Sequence, residues 1–243
     1  MKTFVLASLI AASATGCIIS DDSSASAHVG ATWTIRTLSN PDIGCPPGFD
    51  TAALYNQPVT SDGTPVGSPI IDLFDCAAGG GTSAALPADT YETWIEITDH
   101  TNSGQPYATS TPAFLDVTET DLTYSAEIFD DAGYFQLQWD LVGGQSGAPL
   151  TCNDAGIADP NTSGVEITAT LSGTTAAGTD QFNCTDHFGI TDALAAGDYT
   201  VSIDAFTDAG GAIGTAPAIP TATIGDHNAI TDLGSVTIPI DGL

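Results

Sequence analysis

The clearest pattern in the chain is a strict alternation of apolar and polar residues in two well-separated places. Residues 91–97 read Tyr-Glu-Thr-Trp-Ile-Glu-Ile, and residues 199–205 read Tyr-Thr-Val-Ser-Ile-Asp-Ala. A period of two puts every second side chain on one face of a strand, so each stretch predicts a strand with one apolar and one polar face. The other apolar segments are short, separated by Gly, Pro, Asn, Asp and Ser, and without helical periodicity. The pattern therefore predicts an all-β protein.

A set of landmark residues occurs twice in the same order. The two members of each pair lie 106 to 108 positions apart: Trp33 and Trp139, Cys45 and Cys152, Cys76 and Cys184, Leu86 and Leu194, Tyr91 and Tyr199. An opening strand predicted at residues 31–37 matches residues 135–142, and a closing strand at 122–129 matches 233–240. A repeat of about 100 residues is a domain, because solenoid repeats run roughly 20 to 50. We predict two homologous Greek-key β-sandwich domains, residues 29–130 and 131–243.

One short motif carries a family resemblance. Residues 194–201, Leu-Ala-Ala-Gly-Asp-Tyr-Thr-Val, resemble the turn-and-strand motif of carboxypeptidase-regulatory-like and other Ig-like bacterial surface domains, and residues 86–91 are a looser version. The resemblance covers eight residues and implies tandem Ig-like domains. The chain departs from true immunoglobulin domains because a Trp precedes both cysteines of each copy.

The N-terminus has the composition of an export signal. Lys2 precedes an apolar run at residues 4–12, which is shorter than the roughly 20 residues that span a bilayer, so residues 1–16 are predicted to be a signal peptide. The segment Ala14-Thr15-Gly16-Cys17 resembles a bacterial lipobox, which implies cleavage before Cys17 and a diacylglycerol on its thiol. The alternative is an ordinary signal peptidase site with Cys17 left as a free thiol.

The polar residues 17–28 are then expected to form a lipidated tether. Ile18 stands where inner-membrane retention signals usually have Asp, which favours the outer membrane. The resemblance implies a lipoprotein of the bacterial cell envelope, held at the membrane by its lipid anchor, with a periplasmic or surface-exposed face.

The remaining four cysteines form two pairs. An exported compartment permits disulfides, and the simplest pairing is Cys45 with Cys76 and Cys152 with Cys184. Closing a loop of this length stabilises a domain by roughly 3.7 kcal/mol on chain-entropy grounds. The alternative, four thiolates on zinc, lacks any Cys-x-x-Cys spacing.

The charge balance restricts the partners. The chain has 30 acidic residues, two basic ones and a formal net charge of −28, and Lys2 is in the predicted leader. Such a charge argues against nucleic acid and anionic lipid surfaces as partners. It favours a halophilic or marine source, because near 1 M salt the Debye length of about 3 Å makes self-repulsion tolerable.

No catalytic constellation is visible. The four histidines, His28, His100, His187 and His227, stand singly, and the chain has no nucleophile elbow or phosphate-binding glycine loop. We therefore expect a non-enzymatic protein without a cofactor or a metal site. Weak calcium binding stays open because oxygen ligands are plentiful, although clusters such as Asp130-Asp131 and Asn153-Asp154 are typical of solvated turns.

One tryptophan differs between the two copies. Trp33 and Trp139 recur and are expected in the core, whereas Trp94 lies on the polar face of its strand with Glu92 and Glu96 and corresponds to Ser202 in the second copy. An exposed Trp94 could stack on a sugar ring while the carboxylates accept hydroxyl hydrogen bonds; alternatively a loop or the other domain covers it. The sequence thus predicts a protein for binding, adhesion or structural spacing, with an envelope protein as partner. The alternative is a carbohydrate-binding accessory lipoprotein centred on Trp94.

Overall fold

The computed structural model of the chain describes residues 26–61, 63–102, 104–118, 120–157, 164–207 and 211–243. Regular structure in these residues consists of β-strands, apart from two short 3-10 turns at Cys76–Ala78 and Cys184–Asp186. The fold is all-β, as the alternating pattern predicted. No helix in the described part of the chain is long and apolar enough to cross a membrane. The predicted signal peptide, Cys17 and most of the predicted tether lie outside the described residues.

The first ten strands form one β-sandwich, the first domain. They are β1 (Ser26–Ala27), β2 (Val29–Arg36), β3 (Thr51–Pro58), β4 (Ile70–Asp75), β5 (Gly80–Thr82), β6 (Leu86–Pro87), β7 (Asp89–Thr98), β8 (Ala108–Thr109), β9 (Ala113–Val117) and β10 (Leu122–Phe129). Strands β1 and β6 form a small two-stranded sheet, and the two larger sheets have the orders β10-β2-β5 and β4-β3-β7-β8, with β9 also paired to β7. Val29, Leu54 and Ile95 are fully buried in the core between them.

The second ten strands form the second domain. They are β11 (Ala132–Gly143), β12 (Pro149–Leu150), β13 (Gly164–Leu171), β14 (Ala177–Phe182), β15 (Phe188–Ile190), β16 (Leu194–Ala195), β17 (Gly197–Phe206), β18 (Ala212–Thr215), β19 (Ile219–Ile224) and β20 (Ala229–Ile240). One layer is built around β11 and β20, and the other around β13 and β17. The layers are continuous along one edge, where Gly214 pairs with Ile240. A separate core, with Phe135, Trp139 and Ile203, lies between them.

The first and last strands of each domain lie side by side and run parallel. In the first domain β2 pairs with β10 from Val29 opposite Leu122 to Arg36 opposite Phe129. In the second domain β11 pairs with β20 in the same direction. The sequence placed these opening and closing strands correctly, and in each copy the two strands pair with each other.

The repeated tryptophans anchor equivalent corners of the two cores. The Trp33 indole Nε1 donates to the carbonyl oxygen of Cys76 at 2.8 Å, and Trp139 Nε1 donates to that of Cys184 at 3.1 Å. Each of these cysteines is disulfide-bonded within its own copy, Cys45 to Cys76 and Cys152 to Cys184. This is the pairing that the sequence predicted. The repeated Trp and Cys landmarks therefore form one packing unit in each domain.

The two domains meet at a short junction with its own polar contacts. Strand β10 ends at Phe129 and β11 begins at Ala132. The side chain of Asn228, from the second domain, hydrogen-bonds to residues of the first. The Asn228 Oδ1 accepts from the Phe129 backbone N–H at 2.8 Å, while its Nδ2 donates to the Thr109 carbonyl oxygen at 2.7 Å. Asn228 is 1% exposed. The junction is thus held by buried hydrogen bonds as well as by the chain connection.

Candidate functional site

The outer face of one sheet of the first domain carries three apolar side chains in a row. Ile71 of β4 lies directly opposite Tyr55 of β3, and Tyr55 lies directly opposite Trp94 of β7. The Tyr55 and Trp94 rings stack with centroids 4.9 Å apart and planes inclined by 7°. Because Leu54 and Ile95, their neighbours in sequence, are fully buried in the core, alternation directs Tyr55 and Trp94 outward. We call Ile71, Tyr55 and Trp94 the apolar row.

Further apolar side chains extend this surface. Leu73, two residues beyond Ile71 on β4, is 52% exposed, and Phe114 on β9 is 60% exposed. Ile71 itself is 43% exposed. Single exposed apolar residues are ordinary, but neighbouring ones on a single sheet face mark a candidate interaction surface.

Polar groups beside the apolar row form hydrogen bonds with its aromatic side chains. The Trp94 indole Nε1 donates to Glu96 Oε1 at 3.2 Å, and Asn102 Nδ2 donates to the Tyr55 hydroxyl oxygen at 3.1 Å. Burial raises the pKa of Tyr55; the Asn102 hydrogen bond acts in the opposite direction, and neighbouring Glu96 raises it further. The Tyr55 hydroxyl therefore stays protonated at neutral pH.

Of the two alternatives for Trp94, exposed or covered, the structure shows a partly covered ring. Its ring is partly buried because Tyr55 covers one face, and its N–H is already bonded to Glu96. Glu92 lies one row away, between Gln57 of β3 and Phe114 of β9. Of the three predicted residues, the structure joins Trp94 and Glu96 and sets Glu92 apart.

The sequence pattern did not indicate four residues of this surface, Tyr55, Ile71, Leu73 and Phe114. Strand β3 gives no alternating pattern that would point to Tyr55, because six of its eight residues are buried. A signal for β4 was nonetheless present. The offset of 108 that aligns Cys76 with Cys184 also aligns Ile71 with Thr179 and Leu73 with Gln181, so apolar residues stand where the second copy has polar ones.

The second domain has hydroxyl groups at the positions of the apolar row. Thr179 of β14 lies opposite Thr168 of β13, and Thr168 lies opposite Ser202 of β17. The Oγ1 atoms of Thr168 and Thr179 are 3.3 Å apart. Inward positions do not differ in this way, since Phe74 and Phe182 pack on the repeated tryptophans in both copies. The fold therefore does not require the apolar row.

A shallow acidic pocket adjoins the end of β4. It has a volume of about 320 Å³ and is lined by Asp50, Thr51, Leu73, Phe74, Asp75 and His100. The Asp75 Oδ1 also accepts from the Ala77 backbone N–H at 2.9 Å, which fixes this carboxylate beside the exposed Leu73. Negative charge thus borders the apolar surface.

Hydrogen bonds to protein groups occupy the acidic clusters that left calcium open. Asp130 accepts hydrogen bonds from Tyr107 and lies 3.1 Å from His227 Nδ1. Asp154 Oδ2 accepts from both the backbone N–H and the hydroxyl of Thr151, and these bonds lower the pKa of Asp154. In the described ranges, no three His, Cys, Asp or Glu side chains come together as a metal-binding group.

Comparisons with known proteins find likeness in structure alone. No protein-family model matches the chain, and no curated protein matches it. A leucine-rich repeat protein from Bacteroides thetaiotaomicron is similar over 88% of this chain, at 17% identity and a TM-score of 0.40, and the chain spans 26% of that protein.

Two further similar structures belong to surface appendages. The minor pilin of Streptococcus agalactiae matches 89% of this chain and 98% of its own length, at 11% identity and a TM-score of 0.30. The fimbrial anchor protein of Porphyromonas gingivalis matches 80% of this chain and 82% of its own, at 12% identity and a TM-score of 0.27. The likeness concerns strand-rich architecture, and the function has to be argued from the residues.

Proposed function

We propose that this chain is a non-enzymatic, lipid-anchored protein of the bacterial cell envelope that binds a partner through the apolar row of its first domain. The observation that carries the proposal is the difference between the two copies. At the positions of the apolar row, the second domain has hydroxyl-bearing residues. Thr179, Thr168 and Ser202 stand there in place of Ile71, Tyr55 and Trp94. Apolar side chains that the fold does not need, on an outer sheet face, are typical of an interaction surface.

A protein partner fits the surface best. Ile71 and Leu73 are exposed aliphatic side chains, which pack against other apolar side chains. Tyr55 and Trp94 add the aromatic content common in energetically important contacts. The acidic composition fits the proposed saline surroundings and favours a partner with basic residues, because opposite charges steer association.

A photo-cross-linking experiment tests the surface. Ile71 is replaced by a photoreactive phenylalanine analogue in the full chain, expressed in its own cells. Irradiation is expected to yield a discrete adduct that disappears when Tyr55→Thr and Trp94→Ser are introduced. The matched control places the same analogue at Thr179, the equivalent position of the second domain. Equal adducts at both positions, or none at position 71, would overturn the proposed surface.

A glycan is the second candidate, supported by the Tyr55–Trp94 stack. Aromatic rings bind sugar faces, whereas an isoleucine contributes little to such stacking. Glycan-array binding that is lost in Trp94→Ser but kept in Ile71→Thr would favour this candidate. Binding that depends equally on Ile71 would favour a protein partner.

The anchor is tested separately. Labelled fatty acid is expected in the mature wild-type chain and in Ser20→Ala, a matched change within the tether, and it should be lost in Cys17→Ser. Both lipid-bearing forms should sediment with membranes, because a lipid chain adds about 0.8 kcal/mol per buried methylene group. An unlabelled wild-type chain with a free Cys17 thiol would contradict lipidation and support ordinary signal cleavage.

A further inference from the structure

Strand β4 forms one border of its sheet. It pairs along all six of its residues with β3, and in the described part of the chain it has no second strand partner. An edge strand presents backbone N–H and C=O groups that a further strand can bind. The exposed Ile71 and Leu73 lie on this same strand, so its free edge adjoins the proposed interaction surface.

This edge lacks several common features that prevent strand addition. Residues 70–75, Ile-Ile-Asp-Leu-Phe-Asp, contain no proline and no lysine, and the pairing with β3 shows no bulge. What β4 does carry is acidic charge. Asp72 points inward and accepts from the Ala84 backbone N–H through Oδ1 at 3.1 Å, while its Oδ2 is buried with no hydrogen-bond partner among the described residues. Asp75 borders the acidic pocket.

We infer that β4 binds an extended segment of a partner protein as an added strand, and that this segment carries lysine or arginine. The inference rests on the proposed function and specifies its partner. Backbone hydrogen bonds to β4 would supply affinity, and the added side chains would pack beside Ile71 and Leu73. A cation opposite Asp75 would meet the pocket formed with Asp50.

Charge complementarity selects this occupant over a second copy of the chain. Pairing β4 with another β4 would join two molecules that each have a net charge of −28, and a parallel pairing in register would set their Asp75 carboxylates side by side. Like charges facing each other across strands are destabilising. A strand with basic residues converts the same carboxylates into favourable partners.

The second domain supplies an internal control. Its edge strand β14 also has six residues and aligns with β4 at the offset of 108, with Asp180, Phe182 and Cys184 matching Asp72, Phe74 and Cys76. The outward residues differ, since Thr179, Gln181 and Asn183 replace Ile71, Leu73 and Asp75. Strand β14 lacks these outward apolar and acidic side chains, so we expect that it does not bind the partner segment.

The test uses the full chain in mild detergent and a fluorescent peptide the length of β4, with alternating valine and threonine and a lysine at each end. Fluorescence anisotropy is expected to show binding at least about tenfold tighter than for the same peptide with glutamate in place of lysine. Methylating alternate backbone nitrogens of the lysine peptide should weaken binding to a similar extent, because one edge of the peptide loses its donors. Binding through side chains alone would be much less sensitive to methylation of the peptide backbone.

Two exchanged variants complete the design. The first variant gives β4 the residues of β14, through Ile71→Thr, Leu73→Gln and Asp75→Asn, and should bind the peptide at least about tenfold more weakly. The second gives β14 the residues of β4, through Thr179→Ile, Gln181→Leu and Asn183→Asp. It should create a second site and raise the stoichiometry from one peptide to two. The gain in the second variant cannot come from misfolding.

Three results would overturn the inference. Equal affinity for methylated and unmethylated peptides would show face contact without strand addition. No peptide binding, despite a specific photo-adduct at position 71, would overturn the added strand while the proposed function stands. Dimerisation by sedimentation that the exchanged β4 variant abolishes would make a second copy the occupant.

Discussion

Replacing Cys152 and Cys184 by alanine is expected to lower the free energy of unfolding of the second domain by about 3 to 4 kcal/mol. The disulfide closes a segment with a sequence separation of 32, so its loss restores many conformations to the unfolded chain. Both cysteines are buried, at 7% and 2% exposure, and the Cys184 carbonyl oxygen accepts the Trp139 indole N–H. The cross-link therefore fixes the corner of the core on which Trp139 depends.

Urea unfolding followed by tryptophan fluorescence measures this effect. Trp139 reports on the second domain, and Trp33 and Trp94 report on the first. The matched variant, Cys45→Ala with Cys76→Ala, removes the equivalent bond of separation 31 and should destabilise the first domain by a similar amount. If a reducing agent and both variants leave the unfolding midpoints unchanged, the disulfides have no stabilising role.

The strand plan was accessible from the sequence because it depends on local alternation. The opening strand predicted at residues 135–142 lies within β11 (Ala132–Gly143), and the closing strand at 122–129 coincides with β10. The repeated tryptophans are buried as expected, at 5% for Trp33 and 1% for Trp139. A duplicated sequence offered two independent readings of the same pattern, which is why this part of the prediction was correct.

The candidate site was harder to predict because it depends on the register between strands. Alternation along β7 placed Trp94 on the outer face, but only pairing sets Tyr55 beside it and makes the ring partly buried. Tyr55 itself lies in a strand whose burial does not alternate. Side chains brought together across strands leave no signal at a fixed spacing in the sequence.

The junction could not be predicted for the same reason. Asn228 is separated by 99 residues from Phe129 and by 119 from Thr109, the two residues that its side chain bonds. Its backbone φ of 61° lies in the left-handed region, which asparagine tolerates better than most residues. In sequence it is simply a polar residue in a turn before the closing strand.

Replacing Asn228 by alanine is expected to destabilise the protein by about 2 to 5 kcal/mol and to weaken the coupling between its domains. The buried Phe129 N–H would lose its partner at a cost of about 1 to 3 kcal/mol, and the part-buried Thr109 carbonyl oxygen would lose a bond that contributes up to about 1 kcal/mol. The left-handed backbone adds about 1 kcal/mol for alanine. Both bonds join the second domain to the end of the first, so their loss acts at the junction.

Scanning calorimetry separates these contributions. Asn228→Gly removes the same hydrogen bonds but accepts the left-handed backbone, so it should be less destabilising than alanine by roughly the strain of about 1 kcal/mol. In both variants the two domains are expected to melt in more widely separated transitions than in the wild type, because each loses support from the other. A glycine variant that melts like the wild type would show that water replaces the Asn228 bonds, and that the apolar contacts of Phe129, Ala132 and Tyr134 are sufficient to hold the junction.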